Sequence, residues 1–146
     1  MITLRPATAQ DQKTIVAIIR AAEINPMDLK WPNFALAIDE ASGAVAGMGQ
    51  IKRHGDGSYE LASIATVPNF QRRGVAHQII NHLLAQHPGV LYLTCLDTMG
   101  SFYEQFGFRK IAPAEMTSYF RRLTRIATTF RFLNDSGRQL WVMKRD

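Results

Sequence analysis

Gln71-Arg72-Arg73-Gly74-Val75-Ala76 is the stretch from which this chain is best read. A strand-like run, Tyr59 to Val67, precedes it, and a helix-like run, Ala76 to Gln86, follows at once. Where a strand stops, a short glycine-bearing loop turns and a helix begins, the first helical amides have no partner inside the helix. The helix dipole adds partial positive charge there, so the corner suits a phosphate. Gly74 and Ala76 keep side-chain bulk low where backbone must approach a ligand, and Arg72 and Arg73 add full positive charges.

Working outward, Ser58 to Val67 is the third strand of a meander whose first two are Phe34 to Asp39 and Ala44 to His54, joined by turns at Glu40–Gly43 and His54–Gly57. Gly47 and Gly49 thin the middle strand, which marks a bulge or close backbone approach. After the helix, with Ile79, Ile80, Leu83 and Leu84 on one face, Pro88-Gly89 makes the stop. Val90 to Leu96 is then almost wholly apolar, as in a strand buried on both faces. Strand, loop, helix, strand is a βαβ unit, so these two strands run parallel within an otherwise antiparallel sheet. The pattern is not that of a dinucleotide-binding fold, because no G-x-G-x-x-G follows the first strand.

Upstream, Ile2 to Arg5 alternates as a short strand. Ala9 to Glu23 repeats its isoleucines at helical spacing behind the cap residue Thr8. Asn25 to Asn33 is a loop with two prolines, one helical turn at Met27–Lys30, and Trp31 as either a core plug or a pocket wall. Downstream, Phe102, Tyr103 and Phe106 lie at helical spacing, Gly107 sits where a helix end takes a left-handed residue, and Phe108 to Ile111 begins a strand. Apolar residues from Met116 to Leu133 recur as a long helix starting at Pro113, with Arg121, Arg122 and Arg125 near its polar side. A turn at Asn134–Gly137 and a last strand at Arg138–Lys144 follow, that strand pairing antiparallel with Phe108–Ile111.

The 146 residues are read as a single domain, 1–146, with 47% hydrophobic and 20% charged residues, an ordinary globular composition. One cysteine, Cys95, excludes an internal disulfide and fits a reducing compartment. The segment Met1–Ala7 is too short and polar for a signal peptide, and no apolar run approaches the ~20 residues of a membrane span. A cytoplasmic protein without membrane partners is expected. The net charge of +5 is uneven: residues 1–108 carry 8 Lys/Arg against 9 Asp/Glu, and residues 109–146 carry 9 against 3. A basic C-terminal part can attract an acidic substrate, a partner or nucleic acid, or be plain solvated surface. The four histidines show no metal-ligand spacing, and no base is indicated beside Cys95, so neither a metal nor a cysteine nucleophile is expected.

Two motifs in this order make the chain resemble the GCN5-related N-acetyltransferase (GNAT) superfamily. Gln71 to Ala76 after the strand Ser63–Val67 matches its Q/R-x-x-G-x-G/A loop, with Ala76 in place of the more usual second glycine. Phe102-Tyr103 with Gly107-Phe108 matches its F-Y-x-x-x-G-F signature. The likeness covers residues 2–111, and the final strand is consistent with it. It implies an α/β (α+β) GNAT fold: a mixed, mostly antiparallel sheet with a central splayed parallel pair, helices on both faces, and here an extra C-terminal helix before the last strand. It further implies an acetyl-CoA-dependent N-acetyltransferase. The loop amides from Gln71, Arg72, Arg73, Gly74, Val75 and Ala76 to His77 would cradle the pyrophosphate of acetyl-CoA. Ile64, Ala65 and Thr66 would pair with its pantetheine arm by strand addition.

The same resemblance assigns Tyr103 as the acid that meets the departing CoA thiolate, with an aromatic packing role as the alternative. A primary ammonium, of pKa about 10.4, must lose a proton before it attacks. Glu60 is the base by that likeness, or else an ordinary strand charge paired with Lys52 or Arg53; His54, His77 and Asp97 remain other proton carriers. The acceptor is a small-molecule or peptide amine left unnamed, and the length of the acyl chain is equally open. The helix from Pro113 serves as cover, acceptor wall or homodimer contact. The competing reading is a non-catalytic acyl-CoA-sensing or basic nucleic-acid-binding module. The nucleic-acid part is the weaker, because aromatics interleaved for base stacking are not evident.

Overall fold

The computed structural model describes residues 1–129 and 138–146. The turn expected at Asn134–Gly137, and Phe130 and Leu133 of the expected long helix, lie outside the described residues. Seven strands, β1 (Ile2–Pro6), β2 (Phe34–Asp39), β3 (Val45–Arg53), β4 (Tyr59–Thr66), β5 (Leu91–Leu96), β6 (Arg109–Lys110) and β7 (Leu140–Arg145), form one mixed sheet in the order β1-β2-β3-β4-β5-β7-β6. The α-helices are α1 (Gln12–Ala21), α2 (Val75–Gln86), α3 (Gly100–Glu104) and α4 (Ser118–Thr129). β4 and β5 run parallel in register Glu60↔Tyr92, while β1–β2, β2–β3, β5–β7 and β6–β7 are antiparallel. This is the expected mixed α/β architecture.

The chain divides into two compact units. The first comprises Met1–Lys52 and Leu61–Pro88. Successive β3 side chains point to opposite faces. On one face Met48 joins Ile15 and Ile19 of α1, Leu36 and Ala65 in a buried cluster. On the other, β4 and Ile79 of α2 come so close that only glycine fits. A Cβ on Gly47 would stand 2.7 Å from the Ala65 carbonyl oxygen, and one on Gly49 would stand 2.5 Å from Ile64 Cδ1 and 2.9 Å from Ile79 Cγ2. The glycine pair therefore marks close approach, and helices cover both faces of these strands. Before α1, the Asp11 carboxylate accepts from the Thr8 amide (2.7 Å) and pairs with Arg5 (2.8 Å). The hydrogen bond from Arg5 holds Asp11 down at a pKa of about 2, against a smaller opposing effect of burial. The helical turn expected at Met27–Lys30 is instead a 3-10 turn at Trp31–Asn33, where Pro32 presets φ for a first turn.

The second unit comprises Arg53–Glu60 and Gly89–Asp146. Its core is Tyr92, Ile111, Met116, Phe120 and Val142, with Tyr119 and Leu123 packed against it. The last strand pairs with β6 as expected, but it also inserts beside β5 through six pairs, Leu91↔Arg145 to Leu96↔Leu140. The expected single long helix from Pro113 is interrupted. Pro113–Glu115 is a separate 3-10 turn, and Met116 is extended (φ −82, ψ 147) to bury its side chain in that core. Gly107 at φ +91 ends the turn after α3, as its motif position required.

Gly100, the first residue of α3, lies against the Trp141 ring, and a Cβ there would stand 2.2 Å from Cζ3 and 2.6 Å from Cε3. Alanine is favoured over glycine in a helix by roughly 1 kcal/mol, but overpacking costs typically ~1–3 kcal/mol. The clash is expected to win. Gly100→Ala should lower Tm by roughly 3–8 °C in thermal denaturation, on the usual scale for a domain of this size; an unchanged Tm would show that Trp141 yields freely.

Candidate active site

In the first unit, β4 runs out at Thr66, a 3-10 turn spans Pro68–Phe70, and α2 begins at Val75. The intervening loop carries two left-handed residues, Arg72 (φ +64) and Gly74 (φ +75). Left-handed residues of this kind let successive amides face one side and form anion-binding concavities. Gly74 is the N-cap of α2 and has no side chain with which to occupy the first amides; the helical ladder starts with the Gln78 amide on the Gly74 carbonyl at 3.1 Å. A Cβ built on Gly74 would meet nothing within 4 Å. Gln71, Arg72, Arg73, Gly74 and His77 are exposed, Ala76 is half-buried, and Val75 is buried under α2 as its anchor. Arg73 lies over the Phe70 ring at 5.6 Å. Gln71 Nε2 donates to the Thr66 carbonyl at 3.3 Å, tying the loop to the strand end. Oriented amides, a helix N-terminus and two guanidinium groups form a donor set that fits the pyrophosphate of a CoA.

Ile64, Ala65 and Thr66 are the last three residues of β4. Immediately before them Ser63 adopts φ +59, an uncommon value for a non-glycine residue inside a strand. Its hydroxyl accepts from Gln50 Nε2 at 2.8 Å, and the same Nε2 donates to the Asp28 carbonyl at 3.2 Å. Gln50 is fully buried, and among the described residues its Oε1 has no hydrogen-bond partner. Sequence reasoning passed over Gln50 and Ser63. The available signal was a glutamine within the otherwise apolar and glycine-bearing β3, since a buried amide needs partners.

In the second unit, Glu60 is buried (6% exposed), and its partner is neither Lys52 nor Arg53. His54 Nε2, itself 8% exposed, stands 2.7 Å from Glu60 Oε1. Arg53 lies over the Tyr59 ring at 5.9 Å instead. The His54 ring stacks on Tyr119 of α4 at 3.5 Å between centroids with planes 13° apart, and it meets the edge of Phe120 at 5.6 Å. The hairpin bearing this pair is fastened to α4 by Asp56, which accepts from the Ser58 hydroxyl (2.6 Å), the Ser58 amide (2.9 Å) and the Tyr119 amide (2.9 Å). Burial pushes Asp56 up, but these hydrogen bonds outweigh it and hold the carboxyl well below the usual range. Asp56 thus supplies an anion at the N-terminus of α4.

Tyr103 is half-buried on α3, edge-on to Phe102 at 5.1 Å. Burial, with the nearby Cys95 thiolate adding to it, pushes its phenol up to about 12. Cys95 is half-buried and raised to about 11 by burial and by Asp97, so it stays a thiol at neutral pH, against a nucleophile. Asp97 Oδ1 is buried without a hydrogen-bond partner among the described residues. Among those residues no three His, Cys, Asp or Glu side chains are grouped to hold a metal ion, and no helix is long and apolar enough to cross a membrane.

Residues 30–110 match the family model described as "Acetyltransferase (GNAT) domain", and the chain belongs to that family. A search of curated proteins found no match. Among solved structures, the chain is similar to N-acetylglutamate synthase from Neisseria gonorrhoeae complexed with coenzyme A and N-acetyl-glutamate. That match has 18% identity and a TM-score of 0.74, covering 99% of this chain and 35% of that one. It is also similar to the Rv2747 protein of Mycobacterium tuberculosis in complex with CoA (19% identity, TM-score 0.73, 98% of each chain). A third similar structure is an acetyltransferase of the GNAT family from Staphylococcus aureus Mu50, at 15% identity and TM-score 0.70, covering 99% of this chain and 98% of that chain. At these identities the likeness establishes the GNAT fold. The chain spans about a third of the length of the Neisseria synthase chain.

Proposed function

We propose that the protein transfers an acetyl group from acetyl-CoA to the primary amine of an acceptor by direct attack. The observation that carries this reading is the uncapped start of α2 behind Arg72 and Gly74, in a chain of the GNAT family. Acetyl-CoA supplies a thioester, which needs no covalent activation by the protein. The chain contributes binding, positioning and proton handling. Amides and guanidinium groups from Gln71 to His77 bind the pyrophosphate, and the edge of Ile64–Thr66 binds the pantetheine. Glu60 takes the proton that the ammonium must lose before its nitrogen attacks the acetyl carbon, and the second nitrogen proton passes to solvent as the C–N bond forms. The C–S bond breaks, and the sulfur is met by the Tyr103 hydroxyl. The products are an N-acetyl amide and CoA.

Tyr103 has a specific form of that role. A thiol titrates near 8.5, so full transfer from a phenol at about 12 is uphill by roughly 5 kcal/mol. Tyr103 therefore acts as a hydrogen-bond donor to the departing sulfur, and solvent completes the protonation. Tyr103→Phe is expected to lower kcat roughly 10- to 100-fold and leave the Kd for acetyl-CoA within about twofold. The wild-type rate should show no descending limb attributable to Tyr103 below pH about 10. Unchanged turnover in Tyr103→Phe would remove this residue from the mechanism.

The exposed Arg121, Arg122 and Arg125 favour a second reading, a basic module that binds without turnover. Melting the protein with acetyl-CoA, CoA or an oligonucleotide separates the two, because only a ligand of the folded state raises Tm. No shift with acetyl-CoA would defeat the enzyme reading. The acceptor is sought by CoA release across amines. Free amino acids come first, since the Neisseria synthase was solved with N-acetyl-glutamate, followed by polyamines, antibiotic amines and peptide N-termini.

A further inference from the structure

We propose that His54 is a positioning residue for the Glu60 carboxylate and that α4 is the clamp that holds it. The inference rests on the reading of Glu60 as the base. It goes beyond that reading by giving the C-terminal helix a task.

Glu60 and His54 sit at opposite sides of a tight hairpin end, where the His54 amide donates to the Ser58 carbonyl at 2.9 Å and the Gly57 amide to the His54 carbonyl at 3.0 Å. Their side chains meet at 2.7 Å, both nine-tenths buried. An ionised carboxylate only accepts, so the ring makes this bond through a hydrogen on Nε2. Glu60 Oε1 is then occupied, and Oε2 is the atom left to take the proton of the amine. A carboxylate free to rotate about its last torsion would present neither oxygen consistently.

The ring that fixes it is itself held from two sides. Its face lies on Tyr119 at 3.5 Å, and Phe120 closes on it edgewise at 5.6 Å. Phe120 is fully buried and stacked on Tyr92 at 5.0 Å, the β5 residue in register with Glu60. Tyr119 is placed by its own amide, which donates to Asp56 of the same hairpin. The path Asp56, Tyr119, His54, Glu60 is continuous, and each link is a direct contact rather than sequence proximity, since Asp56 and Tyr119 are 63 residues apart. A chain needing only surface cover over β5 has no use for a histidine buried against a carboxylate; two apolar residues would fill that space without desolvating polar groups.

The test compares three variants in the full chain, measuring kcat, KM for the amine, Kd for CoA and Tm. His54→Phe keeps a ring against Tyr119 and removes the donor; kcat should fall about 10- to 100-fold, the scale of a misplaced catalytic group, with KM and Kd within about twofold. His54→Gln places an amide N–H near the position of Nε2 and should restore kcat to within about fivefold of wild type. Tyr119→Leu leaves the pair intact but loosens the ring, and should lower kcat by about threefold or more with KM unmoved. Should His54→Phe fail to fold, the last two variants decide. Wild-type kcat in His54→Phe, or in Tyr119→Leu when His54→Phe does not fold, would overturn the proposal. So would a His54→Gln no better than His54→Phe. A different result, full turnover in Glu60→Gln, would instead remove the reading of Glu60 on which the proposal rests.

Discussion

Gly74→Glu is expected to raise the Kd for CoA and acetyl-CoA at least 100-fold while the protein still folds. The two halves of that expectation have separate causes. Inside the protein the new side chain has room, because a Cβ at Gly74 meets nothing within 4 Å. Its backbone cost is that of a left-handed residue other than glycine, about 1–2 kcal/mol at φ +75. Part of this is offset, since a carboxylate at a helix N-terminus is favoured by the dipole and can accept from the first amides. Those are the amides proposed to bind pyrophosphate. The variant thus fills the anion site with the protein's own anion. A carboxylate about 4 Å from a phosphate charge is disfavoured by roughly 4 kcal/mol at an effective dielectric near 20, equivalent to about 10³-fold. Gly74→Ala separates backbone from charge: it shares the φ penalty, adds no anion, and should weaken binding by less than about tenfold. Calorimetric titration reads both. Tight CoA binding by Gly74→Glu would mean that the corner before α2 does not hold the pyrophosphate.

That corner was legible because its causes are local. A strand end, a glycine and a helix start lie within ten residues, and each leaves a composition signal. The limits of β2, Phe34–Asp39, were equally plain from an apolar run closed by turn residues. Gly47 and Gly49 announced the close approach of β4 and α2 without saying what would approach. The features that escaped depend on partners far away in sequence. β7 pairs with β5 from 44 or more residues away, and nothing in either strand specifies its neighbour. The start of α4 moved from Pro113 to Ser118 because Met116 is drawn into the core and Asp56 supplies the terminal anion. The alternative to a base role for Glu60 paired it with Lys52 or Arg53 on charge alone. The side chain within reach is a histidine, with Tyr119 and Phe120 of α4 enclosing it. Cross-hairpin pairing depends on register, and β4 contains an irregular residue, Ser63, that no propensity foretells.

Glu60→Gln is expected to lower kcat by about 10²- to 10⁴-fold near neutral pH, the usual contribution of a positioned general base. The substitution is close to isosteric. The glutamine Oε1 can still accept from His54 Nε2, so the pair at 2.7 Å, the stack on Tyr119 and the hairpin are retained. What is lost is the second oxygen, replaced by an NH₂ group that accepts no proton. CoA affinity should stay within about twofold, because Glu60 takes no part in the proposed pyrophosphate cradle. The pH dependence gives the decisive readout. Without a base, only the amine already deprotonated in solution can react. An alkylammonium of pKa about 10.4 is then free amine to about one part in a thousand at pH 7.4. Each unit rise in pH should restore close to tenfold in the variant until that pKa is approached, so the gap to wild type narrows steadily. A gap that stays constant from pH 7 to 10 would point to lost substrate placement rather than a lost base. Turnover within about threefold of wild type at neutral pH would transfer the search for the base to His77 or Asp97.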